Sequence, residues 1–160
     1  MQKAVTLRPI TPEDMEFLHR VYRSTREEEL AMIVDWTAEQ KDAFVRQQFE
    51  AQHAWYVEHY IGADFQVILV DGVPAGRLYV HRREREIRLM DITFLPEHRG
   101  SGLGTSLLTD LMAESEAARK PLTIHVEIYN PAMRLYMRLG FKTLEDRGVY
   151  HLLEWRPSTL

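Results

Sequence analysis

Cysteine is absent from the chain. That excludes disulfide scaffolds and thiolate metal sites, and it suits a reducing compartment. Long apolar runs are also missing; none approaches the roughly 20 residues that a membrane-spanning helix needs. The start, Met1-Gln2-Lys3-Ala4-Val5, lacks the extended apolar stretch of a secretory signal. The expectation is a cytoplasmic location. No charge sign dominates: 20 Lys and Arg stand against 24 Asp and Glu, a net charge of -4. Both signs are mixed along the chain, so there is no basic footprint for nucleic acid. Internal repeats, low-complexity tracts and Gly-, Ser- or Pro-rich linkers are lacking too. One domain over residues 1–160 is the economical reading, with no nucleic-acid, membrane or metal partner expected. Oligomeric state stays open, a homodimer included.

What is present is enough for a core: 160 residues, of which 45% are apolar. Val5-Thr6-Leu7-Arg8 alternates as a short strand. Thr11-Pro12-Glu13-Asp14 reads as a helix start, with Met15, Leu18, Val21 and Tyr22 as the apolar stripe. The segment 26–34 fits helix or loop. Thr37-Ala38-Glu39-Gln40 resembles a capping box opening a long helix, with Phe44, Phe49 and Trp55 among its apolar positions. Strands follow at 65–70, 75–80 and 88–95, the first two joined by a tight Asp71-Gly72 turn. These three read as an antiparallel meander. A helix over 102–119, a buried strand over 122–128 and a short helix over 131–139 come next. A hairpin over 142–155, turning at Asp146-Arg147-Gly148, ends the order. The class is mixed α and β.

Glycines 100, 102 and 104 follow a strand and open a helix. Missing Cβ atoms let backbone N–H groups approach a ligand, and the helix N-terminus adds free donors and partial positive charge. Together they suit phosphate oxygens. A dinucleotide fingerprint fails, because the third glycine position holds Thr105 or Leu107. A P-loop fails for want of the lysine. The pattern Arg/Gln-x-x-Gly-x-Gly/Ala of a pyrophosphate loop is matched in full by Arg99, Gly102 and Gly104. A glycine-rich turn with no ligand remains the plain alternative.

A second constellation runs Asn130-Pro131-Ala132 through Leu135-Tyr136 to Leu139-Gly140-Phe141. Taken singly, Asn130 is a helix cap and Tyr136 a core aromatic. Taken with Ile92-Thr93-Phe94-Leu95-Pro96-Glu97-His98-Arg99-Gly100-Ser101-Gly102-Leu103-Gly104, the stretch from Met90 to Phe141 resembles the GNAT superfamily of N-acetyltransferases. In the N-terminal half the resemblance is limited to the order of elements.

The resemblance implies an α/β fold of mixed α+β type. Its central, mostly antiparallel sheet is flanked by helices and splayed between the fourth and fifth strands. It implies transfer of an acetyl group from acetyl-CoA, as co-substrate and without a metal, to a primary amine of a small molecule or peptide. Cofactor contacts would come from Ile92, Thr93, Phe94, Arg99, Gly100, Ser101, Gly102, Leu103, Gly104, Thr105, Asn130, Ala132 and Tyr136. Tyr136 would be the general acid for the leaving thiolate. The base departs from better-known members: Arg88, Met90 and Ile92 share the Phe94 face and none is a base, while Asp91 points the other way. His125 and Glu127 share one face of the next strand and are the candidates. Their plain readings are a satisfied strand polar residue and a structural ion pair, and Glu84, Glu86, a water relay or no dedicated base are further options. Glu29 and Tyr79 are candidate acceptor contacts, although Glu27 to Glu29 also read as a solvated helix face. A catalytically silent acyl-CoA-binding module on the same scaffold is the rival reading, and a nucleotide-binding domain a weaker one.

Overall fold

The computed structural model describes residues 3–160. Met1 and Gln2, the start of the N-terminal stretch read above, lie outside the described residues. The strands are β1 (Val5–Pro9), β2 (Asp64–Val70), β3 (Val73–Arg82), β4 (Ile87–Phe94), β5 (Leu122–Glu127), β6 (Lys142–Arg147) and β7 (Tyr150–Trp155). The helices are α1 (Met15–Ser24), α2 (Glu27–Ala31), α3 (Ala38–His59), α4 (Leu103–Ala118) and α5 (Met133–Arg138). The sheet has seven strands in the order β1-β2-β3-β4-β5-β7-β6. The segment 26–34, open between helix and loop in the sequence, is the short helix α2 followed by a turn. The described residues fall into two compact units, one running to Leu78 and joined by Thr93–Arg99, the other Tyr79–Ile92 with Gly100–Leu160.

In the first unit β1 lies antiparallel to β2, Val5 opposite Val70 and Pro9 opposite Gln66. The turn after β2 needs two positive φ angles, and Asp71 (51°) and Gly72 (81°) supply them. Asp71 also ties β1 down: its N–H donates to the Ala4 carbonyl and its Oδ1 accepts from the Ala4 N–H, each at 2.8 Å. Gly76 has a different reason to be glycine. A Cβ there would collide with the Thr93 carbonyl oxygen, so β3 and the end of β4 approach too closely for any side chain. Around α1 and α3, Leu18, Tyr22, Leu30, Val45 and Phe49 form a buried cluster. Burying each such large apolar side chain stabilises the fold by roughly 1.5–3 kcal/mol. The capping box at α3 forms as expected: Gln40 N–H donates to Thr37 Oγ1 (3.1 Å), and Thr37 N–H to Gln40 Oε1 (2.8 Å). Phe44 and Trp55 stay exposed. Phe44 packs edge-on against Trp36, and Trp55 stacks on His59, so local aromatic contacts serve them in place of a core.

The entry to α1 is a short 3-10 turn, Pro12–Asp14. There Asp14 is buried and takes both arms of the Arg8 guanidinium, at 2.8 and 2.9 Å. It also accepts the Thr11 N–H at 2.7 Å. The Arg8 bond, joined by those from Thr11, holds the carboxyl down at about 2, against burial, which pulls it up. A carboxyl depressed by folding contributes stability above its unfolded value, and that stability is lost as pH falls through the folded one. Arg8 is 38% exposed, so solvent screening leaves about 1–2 kcal/mol. Denaturant titrations should therefore show this margin lost between about pH 4 and pH 2. Asp14→Asn should be less stable at neutral pH by the same amount and lack this part of the acid dependence. Equal acid sensitivity in the variant would contradict the assignment.

In the second unit β4 and β5 run parallel, but only Ile87, Arg88 and Leu89 find partners, in Leu122, Thr123 and Ile124. Beyond Leu89 the two strands part. β5 stays paired along its whole length with antiparallel β7, from Leu122 opposite Trp155 to Glu127 opposite Tyr150. The sheet is thus splayed between the fourth and fifth strands, as the resemblance implied. α4 packs on β5, with Leu107, Leu108 and Leu111 buried on the helix and Leu122, Ile124 and Val126 buried on the strand. The final hairpin turns one step later than its sequence suggested. Asp146 and Arg147 belong to β6, and the link is Gly148-Val149, with Gly148 at φ 79°. Asp146 Oδ1 accepts the Gly148 N–H at 2.9 Å, so the aspartate braces the turn from within the strand. β6 is an edge strand whose every residue is exposed, and its register shifts between Thr143 and Glu145.

Candidate active site

The glycine loop has the backbone that the phosphate reading requires. Gly100 and Gly102 sit at φ 75° and 81°, conformations that L side chains rarely adopt. A Cβ at either would meet nothing within 4 Å, so the space above the loop is open. Gly102 is the N-cap of α4 and supplies no side-chain cap. The first-turn N–H groups of α4, which have no carbonyl four residues back, are left to an outside acceptor. Ser106 N–H donates to the Gly102 carbonyl at 3.0 Å and starts the regular ladder. These features fit the pyrophosphate of coenzyme A. Arg99, expected among the cofactor contacts, already serves two acceptors of the protein. Its Nε donates to the Phe94 carbonyl (2.9 Å) and its Nη2 to Ser24 Oγ (3.1 Å), which braces the end of β4.

Downstream of β5, Asn130 spends one side of its amide on structure. Its Oδ1 accepts the Ala132 N–H at 2.8 Å, and the Asn130 carbonyl accepts the Met133 N–H at 3.0 Å. Asn130 is therefore not the helix cap its sequence position suggested: it makes a turn ahead of α5, whose N-cap is Ala132 with no side-chain cap, and its NH₂ is not consumed by that turn. Tyr136, on α5, is buried, with its ring edge-on to Phe141 at 5.6 Å. Among the described residues no hydrogen bond to its hydroxyl is seen. Burial first, and the Asp91 carboxylate second, push the phenol well above its ordinary value. It keeps its proton across the neutral range.

Asp91 thus enters the site from the side the sequence set aside. Alternation does turn it away from Arg88, whose Nε donates to Thr123 Oγ1 at 2.9 Å across the parallel pair. The opposite side is the one on which its charge reaches Tyr136. No sequence signal placed α5 over that side.

His125 and Glu127 share the Thr123 side of β5, and β7 and the β6 end bring partners to both. Arg147 Nη1 lies 3.3 Å from His125 Nε2. Since a guanidinium only donates, Nε2 is the acceptor. Arg147 is held in turn by Glu145 at 2.6 Å. Burial, then the nearby Arg88 and Arg147 charges, lower the His125 value, so the ring is neutral at neutral pH. Glu127 Oε1 accepts the Tyr150 hydroxyl at 3.3 Å. The acceptor candidates fare differently from one another. Glu29 is exposed and ion-paired with Arg26 at 3.1 Å, while Tyr79 is fully buried in β3. Among the described residues no helix is long and apolar enough to cross a membrane.

Comparison with known proteins bears on this geometry. No curated protein sequence matches the chain. Solved structures do. A paiA N-acetyltransferase from Thermoplasma acidophilum in complex with coenzyme A superposes with a TM-score of 0.71 at 18% identity, covering 96% of this chain and 99% of that one. An acetyltransferase from Thermus thermophilus gives 0.68 at 22% identity, covering 96% and 97%. The Salmonella typhimurium yncA structure, a putative acetyltransferase with acetyl-CoA, gives 0.56 at 22% identity, covering 96% and 94%. At these identities the likeness establishes the fold. The sequence model of the acetyltransferase (GNAT) family matches residues 19–141, a span that holds the uncapped glycine loop, the splayed strands and Tyr136. A match over most of the length, on the residues that build the site, makes the chain a member of the GNAT acetyltransferase family.

Proposed function

We propose that the protein is an N-acetyltransferase that moves an acetyl group from acetyl-CoA to the primary amine of a small molecule or peptide by direct attack. One observation carries the reading: the uncapped α4 N-terminus with its two left-handed glycines belongs to a family of acetyl-transferring proteins and coexists with an intact Tyr136. Acetyl-CoA supplies the thioester when bound. Gly100 to Thr105 would hold its pyrophosphate through backbone N–H groups. Ile92, Thr93 and Phe94, on the stretch of β4 past its last β5 partner, would lie along the pantetheine arm, which would run beside them as an added strand does. Asn130 would add its NH₂ and Ala132 its neighbouring turn.

Tyr136 would hold the proton destined for the leaving sulfur. A buried phenol is a reluctant acid, but the same apolar surroundings raise the proton affinity of a thiolate, so the two shift together. For the attacking amine, Glu127 is the better of the two candidate bases. The His125 Nε2 lone pair is already occupied by Arg147, which leaves the ring proton on Nδ1 and no free acceptor. Glu127 keeps a carboxylate oxygen beyond its bond from Tyr150.

Thiol release from acetyl-CoA across a panel of primary amines tests the reading. Amine-dependent turnover is expected, with Glu127→Gln losing about 100-fold in kcat and His125→Gln losing far less. Acetyl-CoA binding without turnover on any amine would favour the silent module.

A further inference from the structure

The peptide that closes β4 is held at both ends. Leu95 N–H donates to the Ala75 carbonyl of β3 at 2.9 Å. The Phe94 carbonyl, at the other end of that trans peptide, is turned away from β3 and accepts from Arg99 Nε, also at 2.9 Å. One peptide earlier, the Thr93 carbonyl oxygen lies against Gly76 of β3. The Phe94 N–H is therefore turned to the same side as the Phe94 carbonyl. On that side the β5 ladder has already stopped, at Leu89. A bare strand edge shows donor and acceptor alike. At Phe94 the acceptor is covered by a guanidinium, and the donor faces outward.

Arg99 is itself held. Its Nη2 donates to Ser24 Oγ at 3.1 Å. Ser24 is the last residue of α1, and its hydroxyl donates to the Val21 carbonyl at 2.6 Å. With its one proton spent on Val21, that hydroxyl can only accept from Arg99. Leu18 and Tyr22 seat α1 in the buried cluster of the first unit. The guanidinium thus passes the position of a packed helix to a single backbone carbonyl.

We propose that Arg99 is a positioning residue for acetyl transfer and not a phosphate contact. It takes the Phe94 carbonyl out of play and fixes the Phe94 N–H as the donor that meets the thioester oxygen. The inference rests on the acetyltransferase reading above. A carbonyl exposed beside a developing oxyanion would repel it, and a loose peptide would have to reorient as the charge forms.

Glutamine makes the sharpest test. Its amide nitrogen stands as many bonds from Cα as arginine Nε, so it can still reach the Phe94 carbonyl. It carries no charge and has no arm for Ser24. Arg99→Ala should lower kcat about tenfold to 100-fold. Calorimetric affinity for acetyl-CoA should change by less than about threefold. Arg99→Gln should recover most of that kcat. Ser24→Ala should lower kcat about threefold in the parent and not at all on the Arg99→Gln background, where the two side chains no longer meet. Amide exchange at Leu95, followed by NMR without substrate, should quicken in Arg99→Ala and recover in Arg99→Gln. If Arg99→Ala fails to fold, Arg99→Gln and Ser24→Ala carry the test. An affinity loss of about tenfold or more in Arg99→Gln would make Arg99 a phosphate contact and overturn the proposal. So would a kcat no better in Arg99→Gln than in Arg99→Ala, or Leu95 exchange that ignores both variants. A parent that turns over no amine would instead sink the acetyltransferase reading, and the exchange and affinity measurements would still decide whether Arg99 clamps Phe94.

Discussion

Tyr136→Phe should lower kcat about 100-fold or more while leaving acetyl-CoA affinity nearly unchanged. The argument is one of separable parts. The ring is buried and meets Phe141 edge-on, and Phe keeps that packing. The hydroxyl forms no bond to the described residues, so the fold loses nothing when it goes. What disappears is the proton needed when the carbon–sulfur bond breaks, a requirement of the transition state alone. Thermal unfolding of the variant should therefore match the parent, and calorimetric binding of acetyl-CoA should too. The raised phenol value sets a second signature. Tyr136 stays protonated to above its ordinary range, so its own ionisation adds no falling limb to the rate below about pH 10. Unaltered turnover in the Phe variant would remove Tyr136 from the chemistry.

Gly102→Leu should weaken coenzyme A binding by tenfold to 100-fold, the loss of one or two charge-assisted backbone contacts. The protein itself gives such a side chain room, since a Cβ at Gly102 meets nothing within 4 Å. The cost to folding is the left-handed backbone, about 1–2 kcal/mol. The cost to binding is larger, because the side chain would stand where the phosphate oxygens must reach the N–H groups of α4. Gly102→Asn is the control, because Asn tolerates the left-handed region. It should recover most of the stability and little of the affinity. Normal affinity in a folded Leu variant would remove the loop from the phosphate site.

The sequence was most legible where local rules act. The Thr37-Gln40 box, the Asp71-Gly72 turn and the glycine entry to α4 each rest on a few neighbouring residues and a backbone requirement. The splay between β4 and β5 came from family resemblance; pairing that stops at Leu89 and Ile124 leaves no mark in periodicity. Within the site, Tyr136 and the loop stood out by motif. Asp91 did not, because its relevance depends on α5 lying on its side of the strand, a tertiary fact. The same holds for Arg147, which settles the tautomer of His125 from 22 residues away. Phe44 and Trp55 mislead for the converse reason: aromatics at helical spacing look like core, yet each is covered by a neighbouring ring.

The outer strand β6 carries one more consequence. An edge with unpaired N–H and C=O groups is a template on which another chain can add. Here that template is spoiled along its length. Lys142, Glu145, Asp146 and Arg147 keep charge on a strand that is exposed throughout, and the irregularity between Thr143 and Glu145 breaks the even spacing that a docking strand would need. With Leu144 the sole large apolar residue of β6, the strand is poor seed material for amyloid-like stacking. Replacing Lys142 and Glu145 with β-branched residues, with Asp146 left to brace the turn, would turn its safest border into its stickiest.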